Sequence, residues 1–245
     1  VSASSAQALI EQGYSYTQSL NWSGYAVSSG ATVVSDVIGS WTVPTLNCSS
    51  TPNAGVSEWV GTGGDGSSSG NLLQTGTVDE CVNGSQQNQG WWEEVPNNPN
   101  YAFNFSGFPV SAGDTMVATV FETNGGGWET ALTDNTTGLT GIMITGHGYG
   151  VSTGGAYGSY STQGSSPSTY SGGTSAEWIV EDYTSGNALV TLANFGTVTF
   201  GDLGTSISGW SLTNSDGIEI VNSNDVVLSV PSSPTSSGFS VTYTN

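Results

Sequence analysis

The 245-residue chain carries 19 Asp and Glu, no Lys or Arg and one His, for a formal charge of −19 at neutral pH. Without a basic patch, nucleic acid and anionic membrane surfaces make poor partners. Eight Trp, ten Tyr and seven Phe, set largely in alternating runs, exclude the disorder that acidity alone would suggest.

The missing cations have a further consequence. Near pH ~2 the carboxyls have passed their ~4 reference pKa and are neutral. Only the amino terminus and His147 are then positive, so self-repulsion is almost absent where ordinary proteins are strongly charged. This points to adaptation to an acidic medium; halophilic or merely secreted acidity are the alternatives. The chain opens Val1-Ser2 rather than with Met, which reads as a processed, mature form.

In chain order, residues 1–20 read as an N-terminal arm, with a helical pattern from Ala6 to Gln12. Residues 21–245 read as one β domain. Strands are predicted over Asn21–Val27, Val33–Val43, Val56–Thr62, Leu72–Val78 and Gln89–Val95. Further strands are predicted over Thr115–Glu122, Trp128–Asn135, Leu139–Thr145, Ser175–Tyr183, Thr197–Ile207, Gly217–Val221, Val226–Val230 and Phe239–Thr244. Gly146–Gly173, rich in Gly, Ser, Tyr and Thr, reads as a long flexible excursion, a candidate flap. Strands without intervening helices predict an all-β fold, two antiparallel sheets packed face to face. Cys48 and Cys81 lack nearby His and are expected to form a disulfide. Its loop of about 34 residues is worth at most ~4 kcal/mol by chain entropy.

Most catalytic machinery is absent from the sequence. There is no G-x-S-x-G elbow, P-loop, dinucleotide fingerprint or D-T-G turn, and His147 lies alone in a glycine-rich stretch. No cofactor or metal is expected. What remains is carboxyl chemistry assisted by amides and aromatics. In Ala176-Glu177-Trp178-Ile179-Val180-Glu181-Asp182, alternation places Glu177, Ile179 and Glu181 on one strand face. Either both glutamates face solvent, or burial among apolar neighbours raises their pKa and suits them to proton transfer. Leu73-Gln74-Thr75-Gly76 sets an amide among apolar residues, and Trp91-Trp92-Glu93-Glu94 sets a carboxyl beside bulky rings.

These motifs, with Asn21-Trp22-Ser23-Gly24-Tyr25, Trp41-Thr42-Val43-Pro44, Trp59-Val60-Gly61 and Phe195-Gly196-Thr197-Val198-Thr199-Phe200, occur in the order seen in the glutamic peptidases, or eqolisins. Over roughly Asn21 to Phe200 the chain resembles that family. The resemblance implies a secreted, acid-acting, pepstatin-insensitive endopeptidase on a double β-sandwich of curved sheets around a substrate cleft. It puts the catalytic pair on Gln74 and Glu177, and substrate contacts on Trp59, Asp65 and Glu93. It implies protein or peptide substrates; a monomer is expected from the secreted β-sandwich class. The family's Gly-Ile-Asp-Gly-Asp is here Gly61-Thr62-Gly63-Gly64-Asp65, without the first Asp. Two other readings are a jelly-roll glycosidase pairing Glu177 with Glu93 or Glu181, and a carbohydrate-binding or structural sandwich without hydrolytic activity. A glycosidase needs carboxyls about 5–9.5 Å apart, and four residues of strand hold Glu177 and Glu181 ~14 Å apart.

Overall fold

A computed structural model describes residues 16–65, 71–96, 102–155, 159–166 and 169–245. The expected helical pattern from Ala6 to Gln12 lies outside these. In chain order the strands are β1 (Thr17–Ser19), β2 (Trp22–Ser28), β3 (Asp36–Thr42), β4 (Gly55–Gly63), β5 (Leu72–Val82), β6 (Ser85–Val95) and β7 (Phe103–Asn104). They continue as β8 (Thr115–Glu122), β9 (Trp128–Asp134), β10 (Leu139–Ile144), β11 (Gly148–Ser152), β12 (Tyr160–Gly164) and β13 (Ser175–Glu181). The last are β14 (Thr184–Ser185), β15 (Ala188–Leu189), β16 (Thr197–Thr205), β17 (Gly217–Val221), β18 (Val227–Pro231) and β19 (Phe239–Tyr243). A single 3-10 turn, Asn214–Asp216, is the one helical segment among the described residues.

The strands assemble into two antiparallel sheets that share one long strand. The first runs β7-β6-β5-β4-β13-β2-β17-β18-β19-β16. The second runs β16-β3-β8-β9-β10-β11-β12. β16 belongs to both: Thr197–Phe200 pair with β19, and the strand shifts register between Gly201 and Gly204 as it joins β3. Bends of this kind carry a strand from one layer to the other.

Between the layers lies the main core, with Trp41, Trp92, Trp128, Trp178, Tyr25, Phe200 and Leu73 all buried. Indole N–H groups tie the layers together. Trp178 Nε1 donates to Ile38 O at 2.8 Å, and Trp41 Nε1 donates to Thr77 Oγ1 at 3.1 Å. Gly39 makes room for the Trp178 ring, since a Cβ there would lie 2.6 Å from Cδ1. Cys48 and Cys81 form the expected disulfide.

One expectation is corrected. The excursion Gly146–Gly173 contains β11 and β12, which extend the second sheet. Their composition hid them because the glycines serve close packing rather than flexibility: a Cβ on Gly150 would sit 2.0 Å from Ser161 O, and one on Gly164 would sit 2.6 Å from the Tyr149 ring. The expected arm also contributes structure, for β1 pairs in parallel with β17, Thr17 opposite Ile218.

Candidate active site

Three central strands of the first sheet bring the candidate residues together. On β4, Gly61 is in register with Gln74 of β5 on one side and with Glu177 of β13 on the other. Gln74 is in turn opposite Glu93 of β6, and Glu177 is opposite Ala26 of β2. Residues directly opposite in a ladder point to the same face. The result is one row, Glu93–Gln74–Gly61–Glu177–Ala26, on the face turned away from the second sheet.

The alternation of β13 explains why this face is separate from the core. Ala176, Trp178 and Val180 enter the inter-sheet core, so Glu177, Ile179 and Glu181 must emerge on the reverse. There a smaller apolar cluster surrounds them, made of Ala26, Trp59, Leu72, Trp91, Ile179 and Ile218. Glu177 is wholly buried and Gln74 is 4% exposed, so the buried alternatives hold for both.

Gly61 brings no side chain to the row, and its neighbours already pack over it. The backbones of Gln74 and Glu177 are two strand spacings apart, about 9.5 Å. A side chain between them would collide with its neighbours: a Cβ on Gly61 would lie 2.8 Å from Leu72 Cδ1, 3.0 Å from the Trp59 ring and 3.3 Å from Gln74 Cβ.

Polar groups along the row are held unevenly. Gln74 Nε2 donates to Glu93 Oε2 at 3.0 Å, while Gln74 Oε1 is buried and has no partner. Neither Glu177 oxygen makes a hydrogen bond of ordinary geometry, with the Ser175 hydroxyl and the Asp65 N–H as its nearest donors. Burial drives the Glu177 carboxyl well above its ordinary range; the Ser175 hydroxyl favours the ionised form, Asp65's charge opposes it and Asp65's backbone N–H favours it. Burial raises Glu93 as well, against the Gln74 amide that favours its carboxylate. Gln74 Oε1 and the Glu177 carboxyl thus lie on one face, on either side of Gly61.

Glu181 has a different setting. Its Oε2 accepts from Trp59 Nε1 at 2.7 Å, and its Oε1 accepts from Asn21 Nδ2 at 3.0 Å and Trp22 Nε1 at 3.3 Å. Burial still pushes it up to about 7. The Trp22 and Trp59 rings meet edge to face at 5.0 Å. Glu181 therefore anchors the tryptophans beside the row, and Trp59 is fixed two residues from Gly61. Asp65 closes the end of β4, where its N–H meets Ser175 Oγ at 3.3 Å. His147 is exposed in the turn after β10 and takes no part. A surface cavity of about 600 Å³, lined by Asp202, Leu203, Trp210, Leu212 and Pro234 among others, includes none of the row.

The sequence reading missed the role of Gly61 and the direct Gln74–Glu93 contact. A signal for the second existed. Asn83 and Gly84, with φ of 52° and 80°, form the two-residue turn of the β5–β6 hairpin, with Val82 opposite Ser85. An Asn-Gly turn sets the register of such a hairpin, and counting back from it puts Gln74 opposite Glu93.

The model of the Peptidase A4 family matches residues 20–145 and 151–243. The chain belongs to this family, the glutamic peptidases or eqolisins. Aspergillopepsin-2 of Aspergillus niger is 30% identical over 251 residues, which span 92% of this chain and 78% of that protein. Among solved structures, scytalido-glutamic peptidase bound to a transition state analog inhibitor shares the fold with a TM-score of 0.67, at 23% identity over 91% of this chain and 98% of that one. Aspergilloglutamic peptidase from Aspergillus niger aligns with a TM-score of 0.57 at 30% identity, over 78% of this chain and 99% of its own. Membership makes this glutamic peptidase a peptide hydrolase. The glycosidase and binding-module readings lose their ground. Three strand spacings also separate the backbones of Glu93 and Glu177 by ~14 Å.

Proposed function

We propose that this chain is a secreted, acid-acting glutamic endopeptidase in which Gln74 and Glu177 act together on a water molecule and a peptide bond. The observation that carries the reading is the row itself, in which Gln74 and Glu177 flank Gly61 in register, both buried on one face, with Gln74 Oε1 unpartnered. A water molecule donates two hydrogen bonds, and Gln74 Oε1 and Glu177 supply two acceptors for it.

In this mechanism ionised Glu177 takes a proton from the water as its oxygen attacks the substrate carbonyl. The carbonyl electron pair moves onto oxygen. The Gln74 N–H that Glu93 does not hold donates to that oxyanion. Glu177, now protonated, passes its proton to the leaving nitrogen as the C–N bond breaks. No covalent intermediate forms. Burial disfavours ionised Glu177 in the closed arrangement, so entry of water and substrate dipoles precedes chemistry. Trp59 and Asp65 border the row and are the proposed substrate contacts. Glu93 orients Gln74 in addition to the substrate contact expected of it. The tripeptide Ala-Ile-His bound to the eqolisin SCP-B supports peptides as the ligand class.

The test is digestion of an unfolded protein at about pH 3, below the ~4 carboxyl reference, with pepstatin present. Wild type should cleave, while Glu177→Gln and Gln74→Ala should each lose on the order of 10² or more in rate. Equal cleavage by all three would overturn the assignment of the pair.

A further inference from the structure

On the reverse of the hairpin that carries Gln74 lies a second pair of acids that the chemistry above does not use. We propose that Glu58 and Asp79 share one proton and so lock the β4–β5 hairpin in acid, releasing it as the pH rises. This does not depend on the peptidase reading, because what it governs is the fold.

Glu58 of β4 and Asp79 of β5 both face the second sheet and are wholly buried. Glu58 is opposite Thr77, so Asp79 is its diagonal neighbour. As diagonal neighbours on one face the two carboxyls lie within reach of each other, and Glu58 Oε1 and Asp79 Oδ2 have no donor from elsewhere. Two carboxylates can only accept, so a bond between them requires a proton on one. The outer oxygens are fixed by neutral donors. Thr77 Oγ1 donates to Glu58 Oε2 at 2.9 Å and itself receives Trp41 Nε1. Asn88, opposite Asp79, donates to Asp79 Oδ1 at 2.9 Å when its NH₂ is turned toward the carboxyl. With one shared proton, every oxygen of the pair is satisfied.

The neighbours offer no charge to replace that proton. β13 sets Val180 opposite Glu58, with Asp182 two residues further on the same face. β9 adds Asp134, whose oxygens accept from Thr136 N and Thr137 Oγ1. β6 adds Glu94 beyond Trp92, while β3 and β8 bring Trp41, Met116 and Ala118. Tyr183, next after Asp182, adds a phenol near Asp79 whose hydroxyl donates to Glu80. None of these side chains is basic, and the whole chain contains no Lys or Arg. Losing the proton therefore leaves two like charges buried without a counter-ion.

Burial raises Glu58, and burial with the adjacent Glu58 charge raises Asp79. A carboxyl whose folded pKa is raised binds its proton more tightly in the native state. Its contribution is complete below the unfolded pKa and is lost as pH rises through the folded one. The strands that would part carry Trp59, Gly61 and Gln74 on their other face, so the row is lost with the pair.

The experiment follows near-ultraviolet circular dichroism and tryptophan fluorescence from about pH 3 to about pH 9 for wild type, Glu58→Gln, Asp79→Asn and the double variant. Wild type should lose its native signal as pH rises above the carboxyl range. The double variant should match it in acid and keep that signal about one pH unit higher. A well-folded double variant with an unchanged alkaline midpoint would overturn the proposal. If the double variant does not fold, the infrared carbonyl band of wild type decides. A protonated carboxyl that persists above the range of exposed acids, and weakens in either single variant, supports the shared proton. Loss of that band in step with the exposed acids refutes it.

Discussion

Gln74 is held at one end and free at the other, and that asymmetry gives the amide a direction. Glu93 takes one N–H at 3.0 Å, which turns Gln74 Oε1 away from β6. Without Glu93 the amide could flip end for end, because its two ends are nearly alike in shape. Glu93→Leu should therefore lower kcat by roughly tenfold to a hundredfold, the cost of misplacing a reacting group, with KM little changed. Glu93→Gln keeps an acceptor and should recover much of the loss. Steady-state kinetics on one peptide substrate checks both. A KM effect with normal kcat would instead make Glu93 a substrate contact alone.

At the scale of the strand, two glycines of the same hairpin have different reasons for being glycine. A Cβ on Gly76 would sit 2.0 Å from the backbone oxygen of Glu58, which cannot move without breaking the ladder. Gly76→Ala should destabilise the protein by about 3 kcal/mol, read as a lower urea midpoint. A Cβ on Gly61 meets mainly side-chain atoms of Leu72, Trp59 and Gln74. Gly61→Ala should stay folded yet lose most activity, since the methyl group would displace the Trp59 and Gln74 side chains beside Glu177. Urea melts beside initial rates separate the two effects. Normal activity in a folded Gly61→Ala would remove the close packing over Gly61 from the mechanism. The strand that carries Glu177 was legible as a strand because its alternation is strong, whereas β11 and β12 were not, since their faces carry glycine, serine and tyrosine rather than a clear apolar period.

The whole molecule is a set of buried acids without cations. Glu58, Asp79, Glu94, Glu129, Asp134, Glu177 and Asp182 are all buried. Burial pushes Glu181 and Asp182 up to about 7, and raises Glu58, Asp79 and Glu177 in the same direction. Each is a raised folded pKa, so each contributes stability in acid that is lost as pH rises toward and through the folded values. Stability should be greatest below the ~4 carboxyl reference and fall steadily between about pH 5 and pH 7. Urea unfolding at a series of pH values measures this directly, and a maximum near neutrality would contradict it. Added salt should change acid stability little, because the chain has no Lys or Arg with which to form salt bridges.

Read alone, the sequence determined the class of fold, the family through its motifs, and with it the proposal of Gln74 and Glu177 as the pair, and the acidic composition of the whole chain. These depend on alternation, on local patterns and on composition, all of which survive without coordinates. The register of Gln74 against Glu93 was also there, in the Asn83-Gly84 turn. Tertiary structure alone decided that β13 pairs with β4 across more than a hundred residues of chain, so that Gly61 stands between Gln74 and Glu177. Nothing local encodes which strand becomes the neighbour of another; that choice follows from packing two sheets around one core. The same packing turned Glu58 and Asp79 inward together, onto the face that no cation reaches.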